Sequence, residues 1–212
     1  LPEIQVNRTM TGKSAGFDFG LKTFLTSSDG IEIEAPLFSK QAQKELAQAS
    51  KSFSRKKKGS GHRYAARLHL VRVHERTGNK RKDYHVKLAK FLAKKYDVLC
   101  FEDLHIEAMK RLWGRKISDL GFSDFMKNLK YFCQQIGSKI QIIDRFYPSS
   151  KQCHNCLFVY ADLSLKERVW ECSSCHVVHE RDKNAAINIL REGASSLGLG
   201  NVRPSALVAI SV

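Results

Sequence analysis

No stretch of the 212-residue chain approaches 18 consecutive apolar residues, so hydropathy gives no membrane-spanning helix. No basic stretch leading into an apolar core stands at its start, so no secretory leader is visible. The expectation is a soluble, cytoplasmic protein with no membrane partner. Cysteine is also sparse outside two tight pairs. Only Cys100 and Cys133 remain, in the apolar contexts DVLCF and YFCQQI, where a free thiol packs as a small hydrophobe. Acid is scarcest where base is most abundant. Between Lys51 and Lys95 there are sixteen Lys or Arg and two acids, Glu75 and Asp83, which is fourteen of the fifteen net positive charges. A solvated helix face is the plain reading of a charge run, but this concentration points to a polyanionic partner, with nucleic acid the leading candidate. Arg55, Lys56, Lys57, Lys58, Arg63 and Arg67 are the expected phosphate contacts.

The length suits one mid-sized domain plus a small module. That module is marked by Cys153/Cys156 and Cys172/Cys175, two C-x-x-C pairs with fifteen residues between them. Two short knuckles at this spacing close one tetrahedral zinc site, and without a secretory signature zinc is favoured over disulfides or a redox pair. Val169 and Trp170 offer apolar cover to a ribbon too small for a core of its own.

The remainder alternates strands and helices. AGFDFGLKTFLTSSDGIEIE reads as a three-stranded meander with turns at Gly20 and at Ser28-Asp29-Gly30. Ala42, Leu46, Ala49 and Phe53 give a helical stripe that breaks at SRKKKGSGHR; a second pattern runs from Tyr64 to Leu92. DVLCFED reads as a buried strand ending in two acids, with Asp103 also able to cap a helix. Ser123 opens a helix carrying Phe125, Leu129 and Cys133, which Gly137 stops; KIQIID is a further strand. A last helix runs from about Asp182 to Gly193.

This order is that of an α/β, ribonuclease-H-like fold, a mixed five-stranded sheet with flanking helices, here with an inserted zinc ribbon. Asp18 lies in the first strand between Phe17 and Phe19, Glu102 at a strand tip, and Asp182 at a helix start. Asp18 has a plain alternative as a cap of the turn at Gly20, and Asp182 as a helix cap. Together they could hold two divalent ions that activate water and stabilise the leaving oxygen of a phosphodiester. Oxygen ligands suit magnesium or manganese, while thiolates suit zinc.

The motifs GFDFGLKTF, VLCFEDL, GRKISDLGFSDF, DRFYPSSKQCHNC and HERDKNAAINIL, in this order, closely resemble the C-terminal half of the TnpB (OrfB) proteins of insertion sequences, relatives of the type V CRISPR effectors. The resemblance covers residues 14–193. It implies that Asp18, Glu102 and Asp182 form a RuvC-type catalytic triad and that the four cysteines form a zinc ribbon before the last acid. It also implies RNA-guided DNA cleavage, a transposase role in older descriptions, DNA and guide RNA as partners, and a separate transposase encoded alongside. The expected layout is a nuclease core over 1–146, a ribbon over 147–180, a final core helix over 181–193 and an irregular tail over 194–212. His179-Glu180-Arg181-Asp182 departs from the family's His-Asp-Arg-Asp, and residues 109–114 are unlike its usual shorter form. The chain opens on Leu1, as expected of a fragment lacking the half that carries guide and target recognition. The competing reading is a non-catalytic zinc-ribbon module that binds nucleic acid.

Overall fold

The structure, a computed structural model of the chain, describes residues 9–164 and 166–199. Short alternating runs give β1 (Ser14–Phe19), β2 (Thr23–Ser27) and β3 (Glu32–Glu34), the expected antiparallel meander. β4 (Val98–Glu102) and β5 (Lys139–Ile143) then add in parallel to β1, giving a mixed sheet of order β3-β2-β1-β4-β5.

A parallel neighbour for β1 requires a long crossover. Three helices supply it: α1 (Phe38–Gln41), α2 (Gln43–Arg55) and α3 (Gly61–Lys95). The break at Lys56–Ser60 falls where glycine and like charge place it, and Ser60 caps α3 by accepting from the Arg63 N–H at 3.2 Å. Beyond that point the second helical pattern is one unbroken helix of 35 residues, about 50 Å long.

Residues 110–116, where no element is expected from the sequence, are helical, part of α4 (Ile106–Leu120), kinked at Trp113; the apolar positions there are diluted by Lys and Arg, which hid the period. The start of the following helix needs correction. Ser123 does not cap the next helix, α5 (Phe122–Ile136). Gly121, left-handed at φ 63°, ends α4 and serves as the N-cap of α5.

After β5 the chain forms the cysteine-bearing segment, with its hairpin β6 (Val169–Glu171) and β7 (Val178–Glu180), and then α6 (Arg181–Ser196). The helix expected to stop at Gly193 runs to Ser196, so residues 194–196 of the expected tail are helical. Residues 200–212 of that tail lie outside the described residues.

Strand alternation divides the sheet into two faces. Ala15, Phe17, Leu99 and Phe101 pack with Ala89, Leu92 and Ala93 of α3 and Phe125 and Leu129 of α5 in the main core, where Phe17 and Phe101 stack at 5.0 Å. Cys133 belongs to this core. Val98 and Cys100, on the opposite face, pack with Ile143, Ile189 and Leu190. Both cysteines outside the C-x-x-C pairs are thus buried, as expected, and burial pushes Cys100 up to about 12.

On that second face α6 sits unusually close to the strands. A Cβ at Gly16 would lie 2.2 Å from the Ala186 carbonyl oxygen and 2.4 Å from the Leu190 nitrogen. One at Gly193 would lie 2.5 Å from Cys100 Sγ, so Gly193 serves packing and does not terminate the helix. Gly16→Ala should cost about 3 kcal/mol, because it meets backbone that cannot yield. Gly78→Ala, with nothing within 4 Å of the added Cβ on α3, should stabilise by about 1 kcal/mol. Denaturant unfolding of the two variants reads these opposite signs.

Candidate active site and metal centre

The first two acids come together through strand register. β1 and β4 run parallel with Phe17 opposite Phe101, so Asp18 and Glu102 follow side by side at the carboxyl ends, on the face away from the Phe17–Phe101 stack. Asp182 arrives from the other direction, in the first turn of α6. α6 rests on Gly16 through Ala186 and Leu190, and one turn nearer its start Asp182 becomes the strongest charged neighbour of Asp18. All three acids expected from the sequence therefore share one end of the sheet.

Their electrostatics are unfavourable as they stand. Burial, and then the charges of Asp182 and Glu102, push Asp18 well above the usual carboxylate range. Burial likewise raises Glu102, against the hydrogen bond donated by Ser149 Oγ to its Oε2 at 2.9 Å. Arg168 Nη1 pairs with both oxygens of Asp182, at 3.0 and 3.2 Å. No described residue gives the Asp18 carboxylate a hydrogen bond or ion pair. A half-buried carboxylate next to two others and without a donor is suited to a cation, and the oxygen-only donor set suits a hard divalent ion. Asp103, the alternative cap, instead pairs with Arg145, and His105 stands at the N-cap position of α4 without a side-chain capping bond.

The four cysteines are drawn together more tightly. Among the described residues they form the one group of potential metal ligands whose atoms all lie within 4.8 Å of one another; the three carboxylates are spread more widely. Cys153 and Cys175 Sγ are 3.6 Å apart, and Cys156 and Cys172 Sγ 3.5 Å. Tetrahedral ligation with metal–sulfur bonds of about 2.3 Å requires sulfurs about 3.8 Å apart, so the quartet fits a metal of that kind.

The two knuckles are built alike. The N–H groups of Leu157 and His176 donate to the carbonyls of Cys153 and Cys172 at 2.9 and 2.8 Å; Cys153 and Cys172 N–H donate to Phe158 and Val177 at 2.8 and 3.0 Å. Leu157 and His176 occupy the left-handed region at φ 67° and 58°. Trp170 covers the cluster at 5% exposure, as expected, but Val169 points to solvent at 60%. His179 Nε2 lies 3.0 Å from Cys153 Sγ, placed as a donor to a thiolate.

Three further residues tie this segment to α6. Asn184 Nδ2 donates to the Gln152 carbonyl at 2.7 Å while its Oδ1 accepts from the His154 N–H at 3.0 Å, so it grips the chain on both sides of Cys153. Asn188 Nδ2 donates to Ser149 O at 2.8 Å and Gln152 O at 2.6 Å. Arg191 donates to the His154 carbonyl. Sequence reading missed Asn184, Asn188, Ser149 and Arg168. Two asparagines four apart on an otherwise apolar helix face were the available signal.

The basic residues stand elsewhere, at the tip of the α2–α3 hairpin. Arg55, Lys56, Lys57, Lys58 and Arg67 are exposed. Arg63 is engaged within the turn: its Nη1 donates to Phe53 O at 3.2 Å and Lys56 O at 2.9 Å, and its guanidinium stacks 4.2 Å over the Phe53 ring. No described helix is long and apolar enough to cross a membrane.

Comparison with known proteins gives the family and the fold. Residues 2–112 match the model of the OrfB_IS605 family, described as "Probable transposase", and residues 122–189 match that of the Cas12f1-like TNB domain. The chain belongs to the OrfB_IS605 family. It is 36% identical over 197 residues to a Streptomyces pristinaespiralis protein named "Putative RNA-guided DNA endonuclease", covering 92% of this chain and 49% of the relative. A TnpB-like protein of Acanthamoeba polyphaga mimivirus is 29% identical, over 91% of this chain and 39% of its own. The chain thus spans about half the length, or less, of these curated relatives. Its fold is shared with a Cas12f1–sgRNA–target DNA complex (TM-score 0.60, 18% identity, 83% of this chain and 49% of that one). A CRISPR-Cas12f ternary complex gives 0.64 at 19% identity, over 90% of this chain and 40% of that one.

Because Asp18 and Glu102 titrate higher in the folded chain than in the unfolded one, the folded state retains protons that the unfolded state has lost. Stability should therefore fall as pH rises from the ordinary carboxylate range through their raised folded values, and level off above. Asp18→Asn removes the largest part of this cost. Its melting midpoint at neutral pH should exceed the parent's by about 2–4 °C for each kcal/mol recovered, and the gap should close in acid.

Proposed function

We propose that the chain is the catalytic half of a transposon-associated, RNA-guided DNA endonuclease that hydrolyses phosphodiester bonds in a RuvC-type site. The observation that carries this reading is the unpaired Asp18 carboxylate, set beside Glu102 and Asp182 at the carboxyl ends of two parallel central strands. Strand order β3-β2-β1-β4-β5 with an antiparallel meander and two parallel additions is the ribonuclease-H-like arrangement, and it supports the same assignment.

Asp18, Glu102 and Asp182 are the ligands for magnesium or manganese. When bound, such ions supply a Lewis acid at the scissile phosphate and lower the pKa of the attacking water. The chain's own part is to hold three carboxylates in place and to bring cationic groups near them. Arg168 and Arg181 both lower the charge cost at Asp18, and either could meet a phosphate in the same place. The exposed bases of the α2–α3 tip would carry sequence-independent contacts to a nucleic-acid backbone. Guide RNA and target DNA are proposed as partners because one structural neighbour is a complex with an sgRNA and target DNA.

The quartet Cys153, Cys156, Cys172 and Cys175 is read as a structural zinc ribbon over 147–180, inserted between the core (1–146) and the helix that bears Asp182. An all-thiolate tetrahedral set favours zinc over the oxygen-seeking ions of the acids.

Cleavage of single-stranded DNA in magnesium or manganese, by the chain or by a longer form with its guide, tests the triad. Asp18→Ala, Glu102→Ala and Asp182→Ala should each lower the rate at least about 100-fold, a loss near 2.7 kcal/mol. Undiminished cleavage by any of them removes that residue from the site. DNA binding that weakens steeply with salt but shows neither cleavage nor a response to divalent ions would instead support the binding module. Elemental analysis should find one zinc per chain, and Cys172→Ser should lose both the zinc and most of the cleavage; full activity in that variant would separate ribbon from catalysis.

A further inference from the structure

Ser149 does more than close a turn. It is a polar residue at 5% exposure, and its hydroxyl donates to Glu102 Oε2 at 2.9 Å. An ionised carboxylate only accepts, so this bond fixes one oxygen and does not occupy Oε1. Without it, a glutamate at a strand end has three side-chain torsions to explore.

The position of Ser149 is itself fixed from three sides. Its N–H donates to Tyr147 O at 2.7 Å, and its carbonyl accepts from Asn188 Nδ2 at 2.8 Å. Pro148 O accepts from the N–H groups of Lys151 at 3.0 Å and Gln152 at 2.8 Å, which closes the turn leading into Cys153. Asn188 is fully buried, and its Oδ1 has no hydrogen-bond partner among the described residues, while its two donor bonds reach the carbonyls of Ser149 and Gln152. The orientation of that amide is therefore set by the two carbonyls. An apolar residue there would pack equally well but would leave both carbonyls without it.

We propose that Ser149 is a positioning residue for Glu102, through which the first cysteine knuckle and α6 set the orientation of that carboxylate. The inference rests on the reading of Glu102 as a ligand for a divalent cation. It makes the cysteine segment part of the acid site's support at a carboxylate it does not contain.

Manganese binding to the zinc-loaded chain with single-stranded DNA, followed by the electron paramagnetic resonance signal of free Mn²⁺, tests it without a cleavage assay. Ser149→Ala should weaken binding about 10-fold, the lower end of what loss of a ligand's supporting hydrogen bond costs. Ser149→Thr, which keeps the hydroxyl, should return to within about twofold of the parent. Zinc content and melting midpoint should be unchanged in both. Parental affinity in Ser149→Ala, alongside weakened binding in Asp18→Asn, would overturn the positioning role alone. So would a loss in Ser149→Ala that accompanies loss of zinc, which would make Ser149 merely structural. Equal binding by parent and Asp18→Asn would overturn the underlying metal site, and the inference with it.

Discussion

The close seat of α6 on the sheet is the constraint on which the rest depends. Two glycines permit it, Gly16 beneath Ala186 and Leu190, and Gly193 against Cys100. A side chain at either point would lift the helix or turn it. Lifting would carry Asp182 away from Asp18, and would also pull Asn184 and Asn188 from the carbonyls around Cys153. One packing contact therefore sets both the third acid and the attachment of the cysteine segment. This explains why a chain with few buried polar side chains spends two of them, Asn184 and Asn188, on one helix face.

The acid site and the cysteine cluster answer opposite physical problems. Of the three carboxylates at one sheet end, Asp18 and Glu102 resist ionisation, a cost that a hard cation would relieve. The cysteine segment buries only a handful of large side chains, Leu163 and Trp170 among them, so a metal held by the four thiols would supply what a core cannot. The two centres differ in donor chemistry and stand on opposite ends of a short path through the turn at Pro148–Gln152. Such a path allows the second to stiffen the first without sharing an ion.

Much of this was legible in the sequence. Short apolar or alternating runs marked the meander, a continuous apolar run ending in acids marked β4 and Glu102, an acid between two phenylalanines marked Asp18, and the C-x-x-C spacing marked the knuckles. The structure adds register, which sets those two side by side, and this no local pattern encodes. α4 was hidden because its lysines and arginines dilute the apolar stripe, although its last turn buries Ile117 and Leu120. Gly193 was misread because a glycine late in a helix signals a stop, while here it answers to the Cys100 side chain on a strand 93 residues earlier. Ser149 and the two asparagines act through bonds to residues more than 30 positions away, and a serine in a Pro-Ser-Ser turn reads locally as turn chemistry alone.

The central claim is that Asp18, Glu102 and Asp182 together hold divalent cations. Anomalous diffraction from crystals soaked in manganese tests it directly. The account predicts manganese peaks between these three carboxylates, lost in Asp18→Asn, with a separate zinc peak among the four cysteines. Zinc at the cysteines with no manganese at the acids, at concentrations that saturate other magnesium-dependent nucleases, would contradict it.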